Sequence, residues 1–146
     1  MVPKKVICCT DFSENSEPAR RLATEYAKIF RAELIIVHVI DAGSFPAYVD
    51  WVGDEIDQIL DRSAKTAEPK LAALADECRQ TVKDVKTQCV IGSPAEKIVN
   101  LANDEAADLI VIGTHGRSSV KHLVMGSIAR SVLRTAHRPV LIVEAP

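Results

Sequence analysis

Apolar residues along this chain fall into two alternating patterns: short β-branched runs, and longer stretches with an apolar residue every third or fourth position. Val6 to Thr10 is a run of the first kind and reads as a strand. Ser13 to Arg31 follows as a helix. Ala19, Leu22, Ala23, Tyr26, Ala27 and Phe30 recur at helical spacing, and Pro18 lies near the first turn, where a missing N–H costs little. Leu34 to Ile40 is almost wholly apolar, as a strand covered on both faces should be. Asp41 to Tyr48, with Gly43 and Pro46, reads as a loop. From Val49 to about Gln80 the pattern is helical again, and Pro69 predicts a kink or break near Thr66 to Pro69. Val85 to Ile91 is a more polar, alternating strand suited to a sheet edge. Ser93-Pro94-Ala95-Glu96 has the form of a capping box opening a helix that runs to about Glu105. Leu109 to Ile112, Ser127 to Ala136 and Val140 to Val143 complete the series as strand, helix and strand.

The order β-α-β-α-β-α-β-α-β predicts a parallel sheet with helices on both faces. Ligands on such sheets sit beyond the carboxyl ends of the strands, where the strand order reverses. The loops after the first four strands are therefore the places to look for chemistry. Periodicity does not reveal the spatial order of the strands.

The loop after strand four carries the main signal. Gly113-Thr114-His115-Gly116 is followed by nine residues and then Gly126-Ser127 at the start of the last helix. Glycines there let the backbone turn and approach a ligand, and the first amides of the helix have no intrahelical partners and can receive a phosphate. His115, Arg117, Lys121 and His122 form a basic group within the same loop. The bland alternative is a long Gly/Ser connection ending in a helix-capping serine. After strand one, Thr10-Asp11-Phe12-Ser13 offers Asp11 as acceptor for a ribose hydroxyl or an adenine amino group, or else as a helix cap. Val39 and His38 could wall a base pocket after strand two, with His38 otherwise a plain strand-end residue. Gly92-Ser93-Pro94 mainly caps a helix, although Gly92 would also admit a close ligand.

Missing motifs narrow the choice. The chain has no Gly-x-x-x-x-Gly-Lys-Ser/Thr, no Gly-x-Gly-x-x-Gly after strand one and no Gly-x-Ser-x-Gly elbow. Asp104, Glu105 and Asp108 precede strand four, at the wrong end of the sheet to serve the glycine loop, so no general base or other catalytic residue is assigned. The 146 residues suit a single domain spanning 1–146, with 47% hydrophobic and 26% charged residues. A net charge of −2 gives no general attraction to nucleic acid, and no apolar run approaches the roughly 20 residues of a membrane span. Met1-Val2-Pro3-Lys4-Lys5 leads straight into strand-like sequence without a signal-peptide core, which predicts a cytoplasmic protein. Cys8, Cys9, Cys78 and Cys89 contain no Cys-x-x-Cys pair and read as small buried or half-buried hydrophobes, with no metal site predicted.

Gly113-x2-Gly116-x9-Gly126-Ser127, followed by Arg138-Pro139-Val140-Leu141-Ile142-Val143, resembles the universal stress protein family, in its ATP-binding branch. Ile7-Cys8-Cys9-Thr10-Asp11-Phe12-Ser13, Ile36-Val37-His38-Val39 and Gly92-Ser93-Pro94 match as well, in order over the whole chain. The resemblance implies a three-layer α/β/α sandwich, like the adenine nucleotide α-hydrolases, whose five-stranded parallel sheet has the order 3-2-1-4-5. It implies an adenine nucleotide (ATP, or AMP or ADP), held with Mg2+ or Mn2+. Thr10, Asp11 and Val39 would border the base and ribose, and Gly113, Thr114, His115, Gly116, Arg117, Gly126, Ser127 and Ile128 the phosphates. A homodimer through Val140 to Val143 is also implied, and an apolar strand at an open edge gives it a physical basis. Phe45, Tyr48 and Trp51 depart from the family pattern and suggest packing, a dimer contact or a lid. The leading expectation is an ATP-binding stress-response regulator acting on a protein partner that the residues do not name. The alternatives are a slow metal-dependent ATPase or nucleotidyl-transfer enzyme, and a nucleotide-free interaction module.

Overall fold

The structure, a computed structural model, describes residues 1–43, 53–116 and 125–146. The elements follow the expected alternation: β1 Lys5–Cys9, a 3-10 turn Glu14–Ser16, α1 Glu17–Phe30, β2 Glu33–Asp41, α2 Gly53–Arg79, β3 Val85–Gly92, α3 Pro94–Asp104, β4 Leu109–Gly113, α4 Ser127–Thr135 and β5 Val140–Val143. The sheet has five strands in the order β3-β2-β1-β4-β5, and every pairing is parallel. β3 is an edge strand, as its polar alternation predicts.

Alternation within each strand divides the apolar residues between two cores. Val6 and Cys8 of β1, Leu34 and Ile36 of β2 and Val111 of β4 face one way. They pack with Ala19, Ala23 and Ala27 of α1 and with Leu71, Ala75 and Cys78 of α2. Ile7, Cys9, Ile35, Val37, Ile110 and Ile112 face the other way, against Ile98 and Ala102 of α3 and Ala129 and Val132 of α4. The sheet is thus the middle of three layers. Each fully buried branched side chain contributes about 1.5–3 kcal/mol by leaving water. α1 meets the sheet through alanines, whose small side chains let its backbone lie close.

Local chemistry adjusts several expected boundaries. The helix expected from Ser13 begins at Glu17, because Ser16 Oγ turns back to the Ser13 carbonyl at 2.9 Å and tightens the entry into a 3-10 turn. α2 runs through Pro69 as one helix, so of the expected kink or break the break does not occur. Pro69 is exposed, on a side of the helix that does not have to pack. Ser93 takes the N-cap position of α3, with Pro94 in the first turn, but its side chain makes no capping bond, so the capping box is not formed.

At the amino ends of the strands, Asp108 Oδ2 accepts the backbone amides of Lys4 and Lys5 at 2.7 and 2.9 Å. Lys5 Nζ meets Glu105 at 3.0 Å, and this hydrogen bond with the nearby Glu33 charge raises the lysine pKa. These carboxylates are structural and lie at the opposite end of the sheet from the glycine loop. Among the described residues, no helix is long and apolar enough to cross a membrane.

Candidate functional site

The order 3-2-1-4-5 reverses direction between β1 and β4. The chain leaves β1 toward the α1/α2 layer and leaves β4 toward the α3/α4 layer, so the two loops part and open a crevice. A cavity of about 1140 Å3 occupies that crevice. Its lining includes eleven residues singled out from the sequence: Thr10, Asp11, His38, Val39, Gly113, Thr114, His115, Gly116, Gly126, Ser127 and Ile128. Arg117, Lys121 and His122 lie outside the described residues, as do Phe45, Tyr48 and Trp51.

The β1–α1 loop is tightly wired. The Thr10 amide continues the sheet by donating to the Val37 carbonyl at 2.8 Å. Its side chain is buried, accepting the Phe12 amide at 3.0 Å and lying 3.1 Å from Ser16 Oγ. Ser16 Oγ donates to the Ser13 carbonyl, so the Thr10 hydroxyl donates to Ser16. That hydroxyl is fully engaged, and Thr10 shapes the loop instead of offering a side chain to the cavity. Asp11 Oδ1 accepts the Ser13 amide at 2.9 Å and also the Ser13 hydroxyl, a turn in which the aspartate side chain mimics a backbone carbonyl.

The glycine loop meets Asp11 across the crevice. A Cβ placed on Gly116 would lie 3.0 Å from Asp11 Oδ2, and Asn15 Nδ2 donates to the Gly116 carbonyl at 3.2 Å. The Thr114 amide donates to Val143 at 3.0 Å, and the Gly126 amide closes back onto the Thr114 carbonyl at 2.7 Å. The glycines are needed here for close approach and not for a left-handed turn. Gly113 is the last residue of β4, and a Cβ on Gly126 would sit 2.8 Å from the Thr114 carbonyl oxygen.

Gly126 is the N-cap of α4, and among the described residues no side chain caps that end. Ser127 is the first helical residue, so the serine-cap reading of this loop does not hold. The amides of Ser127, Ile128 and Ala129 open the helix beside the cavity with the positive end of its dipole.

Gly92 is the one described glycine with a backbone conformation that L side chains rarely adopt, at φ 152°, and it does not line the cavity. Its role is to end β3, where a Cβ would strike the Lys97 side chain at 2.5 Å. Cys9 does line the cavity, but burial pushes its thiol up to about 12, which leaves it protonated and inert at neutral pH.

Sequence reasoning missed the far wall. Ile59, Ser63, Thr66, Ala67 and Lys70 of α2 face the cavity together with Arg62. Their three- and four-residue spacing was the available signal, but it mixes apolar, hydroxyl and cationic residues and so resembles an ordinary solvated helix. His38 and Phe12 join this wall. His38 Nδ1 donates to the Thr10 carbonyl at 2.9 Å, and the two rings pack with centroids 4.4 Å apart. Among the described residues, no group of three His, Cys, Asp or Glu side chains could hold a metal ion.

Residues 3–144 match the model of the universal stress protein family. Universal stress protein MJ0531 of Methanocaldococcus jannaschii is 36% identical over 146 residues, covering 98% of this chain and 83% of its own. A putative universal stress protein of Staphylococcus aureus is 34% identical over 143 residues, covering 97% of this chain and 84% of its own. The solved structure of MJ0577 superposes with a TM-score of 0.88 at 29% identity, over 100% of this chain and 99% of that one. A universal stress protein solved in complex with cAMP superposes with a TM-score of 0.68 at 27% identity, over 99% and 98% of the two chains.

Proposed function

Because the chain belongs to the universal stress protein family, we propose that it is a cytoplasmic stress-response regulator that holds an adenine nucleotide in the cavity between the β1–α1 and β4–α4 loops. The observation that carries this reading is the meeting of Asp11 with an uncapped helix start across one crevice of about 1140 Å3. That volume is ample for a nucleotide. The α4 amides at Ser127 and Ile128 receive phosphate oxygens, and the absence of side chains at Gly116 and Gly126 lets the chain close around them. His115 and Arg117 add basic groups from the same loop. Asp11 accepts a hydrogen bond from a ribose hydroxyl or the base amino group, while Val39 borders the base.

A divalent ion would be held mainly by phosphate oxygens, since Mg2+ commonly binds through substrate phosphates with one or two carboxylates. A relative crystallised with cAMP supports an adenine ligand on this fold. The ligand-dependent output passes through a homodimer built on β5. β5 lies at the sheet edge, and Val140, Leu141, Ile142 and Val143 are all half-buried there.

Mass spectrometry of small molecules released from freshly purified protein tests the assignment. ATP, ADP or AMP in near-stoichiometric amount is expected. A preparation that releases no nucleotide, and that when stripped fails to bind ATP at millimolar concentration, would leave the site without its ligand and the proposal wrong.

A further inference from the structure

Phe12 stands in the left-handed region at φ 65°. For a bulky L-residue that conformation is an outlier, disfavoured about tenfold in population. Strain of this kind persists only where the surroundings impose it, and it concentrates at functional sites. Three contacts hold it here. The Phe12 amide donates to Thr10 Oγ1 at 3.0 Å. Its ring packs on His38 at 4.4 Å, with an interplanar angle of 37°. The Lys70 ammonium, from α2, lies 5.4 Å from the ring centroid, within range of a cation–π attraction. His38 is itself fixed by its bond to the Thr10 carbonyl.

Phe12 is also the middle residue of the turn in which Asp11 Oδ1 accepts the Ser13 amide. Its φ therefore decides where the Asp11 carboxylate points, and Oδ2 is directed toward Gly116 on the opposite loop. We infer that Phe12 is a positioning residue: seated on His38 and beside Lys70, it holds the backbone left-handed and so aims Asp11 across the cavity at the ligand. The inference rests on the nucleotide reading above, and it adds α2 to the parts that prepare the site.

Two substitutions separate aiming from direct contact. Phe12→Ala and Phe12→Gly both remove the ring, but only glycine adopts positive φ without penalty. Both variants lose the ring's place in the cavity wall, so calorimetry with ATP should show weaker binding by each, with Phe12→Ala about tenfold weaker than Phe12→Gly. In an Asp11→Asn background the Ala and Gly variants should bind alike, because the residue being aimed is gone. Amide exchange of Ser13 in nucleotide-free protein gives a ligand-independent reading: faster in Phe12→Ala, close to the parent in Phe12→Gly.

Equal weakening by Ala and Gly, a gap between them that survives Asp11→Asn, or unchanged Ser13 exchange in Phe12→Ala would each overturn the inference. If Ser13 exchange follows the expected order but the parent does not bind ATP, the aiming of Asp11 stands and the nucleotide reading fails.

Discussion

Replacing Ser127 with aspartate should separate binding from folding, because the two respond to the new charge with opposite signs. Ser127 is the exposed first residue of α4, at the cavity wall, and the first turn of that helix holds no acidic residue. A carboxylate there complements the helix dipole and stabilises the fold by about 0.3–1 kcal/mol, which should hold or raise the melting temperature by about 1–4 °C. The same carboxylate would sit about 4 Å from a bound phosphate. At an effective dielectric near 20 that repulsion is about 4 kcal/mol per charge pair, and screening by solvent and salt cuts it to about 2 kcal/mol. ATP affinity should therefore fall by about thirtyfold or more, while Ser127→Asn, neutral and similar in size, loses much less. Calorimetric titration with ATP and a thermal melt on the same samples decide the matter. Affinity within about threefold of the parent would refute the placement of phosphate at α4, and a fall in melting temperature would show that the residue serves the fold instead. Gly126 is a poorer target, since any side chain there meets the Thr114 carbonyl at 2.8 Å and disturbs the loop itself.

Further predictions follow from the hydrogen bonds and edges already described. Thr10→Val leaves the half-buried Phe12 amide without its acceptor and should lower unfolding free energy by about 1–2 kcal/mol in urea melts, with weaker ATP binding because the Asp11 loop loosens. Arg138 donates to the Ala102 carbonyl at 2.7 Å, the Ala136 carbonyl at 3.2 Å, the Ala107 carbonyl and Asn103 Oδ1. Arg138→Ala should cost about 2–4 kcal/mol while leaving ATP affinity unchanged, since Arg138 does not line the cavity. The Cys9 thiol is raised from its ordinary value to about 12 by burial, so its contribution is complete below about pH 8.5 and lost as pH rises toward 12. Each pH unit in that window removes about 1.4 kcal/mol, and urea melts at pH 8.5 and 10.5 should show a steeper decline in the parent than in Cys9→Ala. Pro139 and Val143 direct their carbonyls to β4, so the alternation of a parallel strand turns the Ile142 amide outward. Ile142→Pro should then convert a β5-mediated dimer to monomer in sedimentation velocity while sparing the β4–β5 pairing. A sedimentation coefficient unchanged by the proline would place the dimer contact elsewhere.

The parts of this molecule legible in the sequence are those that a single periodicity controls. Leu34 to Ile40 reads as a doubly covered strand because both cores take residues from it: Leu34 and Ile36 on one side, Ile35 and Val37 on the other. The glycine loop and Asp11 are legible as separate halves of a site, but their meeting depends on the reversal between β1 and β4, which no local pattern encodes. Arg62, Thr66 and Lys70 were missed because a helix face that lines an open cavity carries the same residue types as one that faces bulk water. Phe12 was missed for another reason. Its left-handed backbone is held by Thr10, two residues before it, together with His38 and Lys70, which only the fold brings alongside, and an aromatic residue between Asp11 and Ser13 gives no sign of those contacts. The glycines were found, but the reason for Gly126 became clear only from its contact with Thr114.

Calorimetric titration of nucleotide-stripped protein with ATP, with and without Mg2+, tests the central claim most directly. The account predicts saturable binding of about one ATP per chain, competed by ADP and AMP. Absence of any heat of binding at millimolar ATP, from protein whose thermal melt shows it to be folded, would contradict it.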